Sequence, residues 1–221
     1  AAGVERIVTF GADAAADVRL TEATVEADGS RLKVLVGGEG LRVRVGVPGR
    51  HWVTNSLGVL AAAWASGGDI KNAAASLAVI ELPKGRGQRH RVSAPIGRFE
   101  VVDESYNASP VSMRAAFEVL GVAQPGPGGR RIAVLGDMLE LGPDSGDLHA
   151  ALAAPLRQNG IEVVFTAGRN MGRLSEALPA DLRGGHAADS EALAPLVTAA
   201  VRGGDVVMVK GSAGSRTGLI V

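Results

Sequence analysis

From about residue 99 onward the chain repeats one rhythm: a short apolar run, a polar glycine-containing loop, then a segment of helical periodicity. The runs are Phe99–Val102, Ile132–Leu135, Ile161–Phe165 and Val206–Val209. Helices are expected over Pro110–Leu120, Asp147–Gln158, Met171–Ala177 and Glu191–Val201, the first with Ser109 as N-cap and Pro110 at its first position. Short, nearly continuous apolar runs alternating with helices imply a mostly parallel sheet with helices on both faces, an α/β class fold. Right-handed crossovers bring the strand C-termini to one edge. Open α/β sheets bind ligands at that edge.

The loops that leave these runs are therefore the informative segments. They are Asp103-Glu104-Ser105-Tyr106-Asn107, Gly136-Asp137-Met138-Leu139-Glu140, Gly168-Arg169-Asn170 and Lys210-Gly211-Ser212. Any one of them could be polar only because loops are wet. Four together, with the chain's single Tyr and one of its four lysines, favour a ligand edge. Asp103 and Glu104 are neighbours on an extended chain and point to opposite faces, so they cannot form an acid/base pair. One of them could accept a hydrogen bond from a sugar hydroxyl, or both could be solvated turn carboxylates. Lys210-Gly211-Ser212 offers an ammonium, exposed backbone N–H groups and a hydroxyl to an anion.

The first part of the chain reads differently. Residues 1–47 are expected to be β: a strand over Glu5–Phe10 closed by Gly11, then a hairpin over Arg31–Val47. Leu41, Val43, Val45 and Val47 alternate there with Arg42, Arg44 and Gly46, the period of a half-buried strand. An Ala-rich helix over Asn55–Ser66 is stopped by Gly67-Gly68, and Asp69 can cap a second helix reaching about Ile80. Pro83-Lys84-Gly85-Arg86-Gly87 is the expected domain boundary, and its glycines would let Arg86 approach a phosphate closely.

Composition mostly excludes. Basic and acidic side chains number 23 each, giving zero net charge, which argues against nucleic acid or an anionic membrane as partner. There is no cysteine, so disulfides, thiol catalysis and cysteine-bound metals are excluded and a reducing compartment fits. Neither a membrane span nor a signal peptide is expected. No GxxxxGK[ST], strand-linked GxGxxG or GxSxG is present, and His51, His90, His149 and His186 lack metal-ligand spacing. Residue chemistry alone yields an α/β ligand-binding module.

The residues also carry a resemblance. Val102-Asp103-Glu104-Ser105-Tyr106-Asn107-Ala108-Ser109-Pro110-Val111-Ser112-Met113 resembles the DDSYNANPxSM signature of the Mur ligase family, in the branch that adds D-alanyl-D-alanine to a UDP-N-acetylmuramoyl-tripeptide. Val134–Gly142 matches VLGDMxELG, and His149 falls where that branch usually has a histidine. Val209–Ser212 with Ser215-Arg216 is similar to VLVKGSRxxR, and Gly49–Leu57 to the GxHNxxNxLAA helix start. The resemblance covers residue 7 to the end.

It implies residues 1–84 as the C-terminal part of a central ATP-binding domain without its P-loop portion, partly antiparallel. Residues 88–221 would then be a Rossmann-like C-terminal ligase domain. The chain would begin inside the central domain and stop just short of the final helix. The implied reaction is ATP-driven amide formation through an acyl phosphate in peptidoglycan precursor synthesis. ATP and Mg2+ are the implied cofactors, D-Ala-D-Ala and UDP-N-acetylmuramoyl-tripeptide the implied substrates, and a cytoplasmic monomer the implied form. By position, Asn55 matches an adenine contact, Arg86 a phosphate contact and Glu104 the carboxylate that holds the ribose. Lys210 and Ser212, with Tyr106, Asn107 and Asp137, match the acceptor side. No catalytic residue or metal ligand of the family falls in this chain, so it is expected to be inactive alone. Three positions depart from the pattern: Trp52 replaces the first Asn of HNxxN, Glu104 an Asp, and Ser109 the second Asn of NAN. The alternatives are part of a folate-type polyglutamate ligase, or a non-enzymatic α/β module.

Overall fold

The computed structural model describes residues 3, 6–26 and 28–221. The chain divides into two compact units, Ala1–Glu81 and Leu82–Val221.

The first unit has a four-stranded sheet in sequence order, β1 (Phe10–Gly11), β2 (Val18–Glu26), β3 (Gly29–Val36) and β4 (Glu39–Val45). The β1–β2 pair is parallel and the rest antiparallel. Helix α1 (Arg50–Ala65), α2 (Ile70–Ser76) and a 3-10 turn (Leu77–Val79) complete it. Period-2 alternation buries Leu32, Val34 and Val36 of β3 with Val43 and Val45 of β4, while Arg42 and Arg44 face water. Leu57, Leu60 and Ala61 of α1 are buried as well. Asp69 caps α2, accepting from the N–H of Lys71 at 2.9 Å and of Asn72 at 3.0 Å.

The strand expected over Glu5–Phe10 is shorter: only Phe10 and Gly11 pair, and Glu5 lies outside the described residues. Thr9 explains the difference. Its N–H and hydroxyl both donate to the Asp17 carboxylate at 2.8 Å, so this stretch closes a side-chain clamp in place of a longer ladder. Those two bonds, backbone first, hold the Asp17 carboxyl below its ordinary range.

The second unit is a six-stranded sheet. Its elements are β5 (Gln88–Ala94), β6 (Gly97–Glu104), α3 (Pro110–Gly121), β7 (Arg131–Gly136), α4 (Ser145–Ala150), α5 (Ala153–Gln158), β8 (Val163–Ala167), α6 (Met171–Ala177), β9 (Arg183–Ala187), α7 (Ser190–Ala200) and β10 (Val206–Lys210). The order is β5-β6-β10-β7-β8-β9, parallel except for the antiparallel edge strand β5. Met113, Phe117 and Leu120 of α3 pack with Leu156, Met171 and Leu174 on one face, against Val102, Ala133 and Met208. Leu193 and Val197 of α7 cover the other face, against Val101, Ile132, Val134 and Val207. The chain thus leaves β6 and β7 toward one face and enters β10 from the other, which makes β10 the point where the winding reverses.

Two expectations change here. The helix over Asp147–Gln158 is two helices, because Pro155 has no N–H and its ring would clash with the Ala151 carbonyl of a continuous helix. Strands β5 and β9 carry no strand signature in the sequence. Both lie at sheet edges; β5 is mostly polar and β9, Arg-Gly-Gly-His-Ala, has no β-branched residue.

The strand N-termini are held by Asp205, whose side chain is fully buried. It accepts from the Arg130 N–H and guanidinium, both at 2.8 Å, and from the Arg202 N–H at 2.9 Å. The opposite edge carries the loops singled out from the sequence.

Candidate functional site

At the β5–β6 end of that edge the two adjacent carboxylates part, as their alternation requires. Asp103 is buried and turns inward, taking the Gly85 N–H at 3.1 Å, the Ser105 N–H at 3.1 Å and the Ser105 hydroxyl at 2.6 Å. The Gly85–Gly87 loop is pinned further by the Tyr106 N–H on the Gly85 carbonyl at 3.1 Å and the Gly87 N–H on the Asp103 carbonyl at 2.7 Å. Gly85 has φ +75°, and a Cβ there would sit 2.9 Å from the Tyr106 Cβ, so only glycine fits. The apex of the loop is Arg86, exposed, with its guanidinium 4.4 Å over the Tyr106 ring.

Glu104 faces the other way and meets Lys210, its register partner on β10. The Lys210 ammonium donates to Glu104 Oε2 at 3.3 Å and to the Asn107 carbonyl at 2.8 Å. Lys210 has 3% of its side chain exposed, Glu104 19%. Burial pushes the Lys210 ammonium below its ordinary 10.5, against the pull of Glu104 and with Arg86 adding to the fall.

Further along the edge, the Asp137 carboxylate accepts from the N–H groups of Asn170 at 3.3 Å and Met171 at 2.8 Å and so closes the start of α6. The approach requires Gly168, where a Cβ would lie 2.5 Å from the Asp137 carboxyl carbon. His149 Nε2 is 3.9 Å from the Asp137 carboxylate but accepts the Met138 N–H at 2.9 Å, and Nδ1 donates to the Ser145 carbonyl at 2.6 Å. Those partners fix the neutral tautomer, so the pair is not an ion pair. The buried Ser212 hydroxyl accepts from the Leu139 N–H at 3.0 Å and faces the Ala108 carbonyl at 3.5 Å, tying three loops together.

Beyond Asp137 lies a cleft of about 270 Å³, framed by Arg169, Arg216, Asp189 and Glu191. Arg216 pairs with Glu191 at 3.2 Å, both mostly exposed, and adopts the left-handed conformation at φ 55°. Ser190 anchors the start of α7 by donating to the Ser215 carbonyl at 2.7 Å.

Two family models match the chain. One, described as the Mur ligase glutamate ligase domain, matches residues 85–213, more than half of the chain; the other, the Mur ligase middle domain, matches residues 1–63. The chain belongs to the Mur ligase family. Among its relatives are the UDP-N-acetylmuramoyl-tripeptide–D-alanyl-D-alanine ligases of Rickettsia prowazekii and Mycobacterium bovis. The first is 28% identical over 99% of this chain and 47% of the relative, the second 34% identical over 80% and 38%. The chain thus spans less than half the length of these curated relatives. Among solved structures it resembles a MurF from Acinetobacter baumannii, with TM-score 0.79 and 23% identity over 97% of this chain and 46% of that one. It also resembles a MurF ligase from Thermotoga maritima in complex with ADP, with TM-score 0.75 and 23% identity over 96% and 47%. These likenesses confirm the α/β fold with a mostly parallel sheet.

Within this Mur ligase chain, the residues singled out from the sequence occupy several different places. Arg86, Glu104 and Tyr106 come together at one end of the strand edge. Lys210 and Ser212 are buried inside it, and their polar atoms bond to protein. Here they join loops. The Asn107 side chain accepts the Ala108 N–H at 2.9 Å, and its carbonyl serves Lys210. Asp137 lies in the wall of the cleft. Asn55 is exposed on the second turn of α1 in the first unit. Sequence reading missed Asp189 and Glu191, which come after the unread strand β9, and it passed over the separate use of Arg169 and Arg216. Among the described residues no three of His, Asp and Glu gather to hold a metal. No described helix is long and apolar enough to cross a membrane.

Proposed function

We propose that this chain is part of a cytoplasmic, ATP-dependent amide ligase that joins D-Ala-D-Ala to UDP-N-acetylmuramoyl-tripeptide in peptidoglycan precursor synthesis. Residues 1–84 would belong to its central domain and 88–221 form its C-terminal domain. The observation that carries the reading is a pair of mixed-charge clusters at the two ends of one strand edge. An exposed arginine and a carboxylate stand at one end. A cleft with two arginines and three carboxylates stands at the other.

In such a ligase the tripeptide carboxylate takes the γ-phosphoryl group of ATP, giving an acyl phosphate and ADP. The free amine of the dipeptide attacks the acyl carbon, phosphate leaves and one proton is lost from nitrogen. Arg86 would donate to phosphate oxygens from its pinned loop, Glu104 would accept from ribose hydroxyls, and Asn55 would contact adenine. The dipeptide is a zwitterion at neutral pH. Arg169 and Arg216 suit its carboxylate; Asp137, Asp189 and Glu191 suit its ammonium. The cleft falls just below the roughly 300 Å³ at which drug-sized pockets begin, which suits so small a ligand.

Titrating the 221-residue chain with D-Ala-D-Ala, L-glutamate and ATP by calorimetry tests this. Dipeptide binding without glutamate binding supports it; preference for glutamate moves the chain to the polyglutamate ligases. Binding of none of the three overturns it. The chain alone is expected to release no phosphate from ATP and D-Ala-D-Ala, and release would reverse that expectation.

A further inference from the structure

Lys210 carries a charge into the middle of the sheet, where charges are retained only when paired. The parallel register sets it directly beside Glu104 on the neighbouring strand, and both side chains project to the face covered by α3. Two of its three donors are taken by Glu104 Oε2 and the Asn107 carbonyl. With 3% of its side chain exposed it cannot meet a nucleotide, whereas Glu104, at 19%, can. A glutamate arm has one more rotatable bond than the aspartate usual at this position in the family, so its carboxylate has more orientations to lose on binding.

We propose that Lys210 is a positioning residue for Glu104. The ammonium holds one carboxylate oxygen, fixes the direction of the other and, through the Asn107 carbonyl, keeps the loop after β6 in place, without touching the nucleotide. The inference rests on the reading of Glu104 as the ribose contact. Glycine at 87 helps: a Cβ there would come 3.1 Å from Glu104 Oε1, so the absence of a side chain leaves that oxygen approachable.

The experiment compares the affinities of the chain for ATP and for 2′,3′-dideoxy-ATP, measured by NMR shifts at millimolar nucleotide. The readout is their ratio, which a general loss of folded protein leaves unmoved. The wild type should favour ATP roughly tenfold, the effect of one hydrogen bond to a charged acceptor. Lys210→Met should bring the ratio close to one, as should Glu104→Gln, and the double variant should go no further. A wild-type ratio retained in Lys210→Met overturns the proposal while leaving the ribose contact standing. A ratio near one in the wild type, or no ATP binding, overturns the ribose reading and the proposal with it. Should Lys210→Met fail to fold, Lys210→Gln, which can still donate to the Asn107 carbonyl but carries no charge, is measured in its place.

Discussion

The two edges of the second unit's sheet use the same residue types to opposite ends. At the strand N-termini the Asp205 carboxylate is enclosed and takes the Arg130 guanidinium with two backbone N–H groups. The carboxylate itself is closed to solvent. At the strand C-termini Arg216 and Glu191, in the first turn of α7, also pair, but in water, and an exposed pair contributes little to stability. Arg86, exposed, ends on an aromatic face. The difference lies in what surrounds each charge. An enclosed ion pair locks elements together, and an open one can be exchanged for a ligand.

The sharpest way to break that comparison is Asp205→Ala. It strands the Arg130 guanidinium and should cost about 3–5 kcal/mol, read as a fall in the urea midpoint. A cost under about 1 kcal/mol would place both edges in the same class. Arg216→Ala should do the reverse. Stability should move by under about 1 kcal/mol, while dipeptide affinity falls roughly tenfold or more in calorimetry, as a charge-assisted hydrogen bond is lost. Ser109→Ala removes the cap that accepts the Ser112 N–H at 3.3 Å and should cost about 1 kcal/mol by thermal melting. The smallest effect is one of pH. The folded Lys210 pKa lies below its unfolded 10.5, so the unfolded chain binds the extra proton between those two values. Its contribution to stability should therefore rise as pH climbs toward 10.5 and level off above it. The difference in urea midpoint between wild type and Lys210→Met, tracked from pH 8 upward, isolates that slope as an order-of-magnitude test.

Much of the fold was legible because burial writes itself into local pattern. Val206–Val209 had to be a covered strand, and Ser109-Pro110 had to begin a helix; both do. The edge strands were not legible, because a strand with one neighbour and one wet side needs little apolar sequence. His90 and Arg91 in β5 and Gly184-Gly185 in β9 show this. Asp189 and Glu191 were legible only as the start of a helix, because without β9 nothing placed that start at the ligand edge. Residues at the nucleotide end were readable as a set but not as roles. Sequence shows that Asp103 and Glu104 point apart; only the fold shows that Asp103 faces a backbone turn and Glu104 faces Lys210. Nor can spacing tell a buried lysine from one at a ligand. Lys210 comes after four apolar residues and could have belonged to either class.

The position of β10 also bears on how the chain is made. It pairs with β6 on one side and β7 on the other, although more than 60 residues separate it in sequence from both. Until it emerges from the ribosome, the β5–β6 hairpin and the β7–β8–β9 group have no hydrogen-bonded seam between them. During synthesis those two pieces would wait with facing strand edges unpaired. Such edges invite pairing with another chain, so the interval before β10 arrives is when this domain is most open to aggregation.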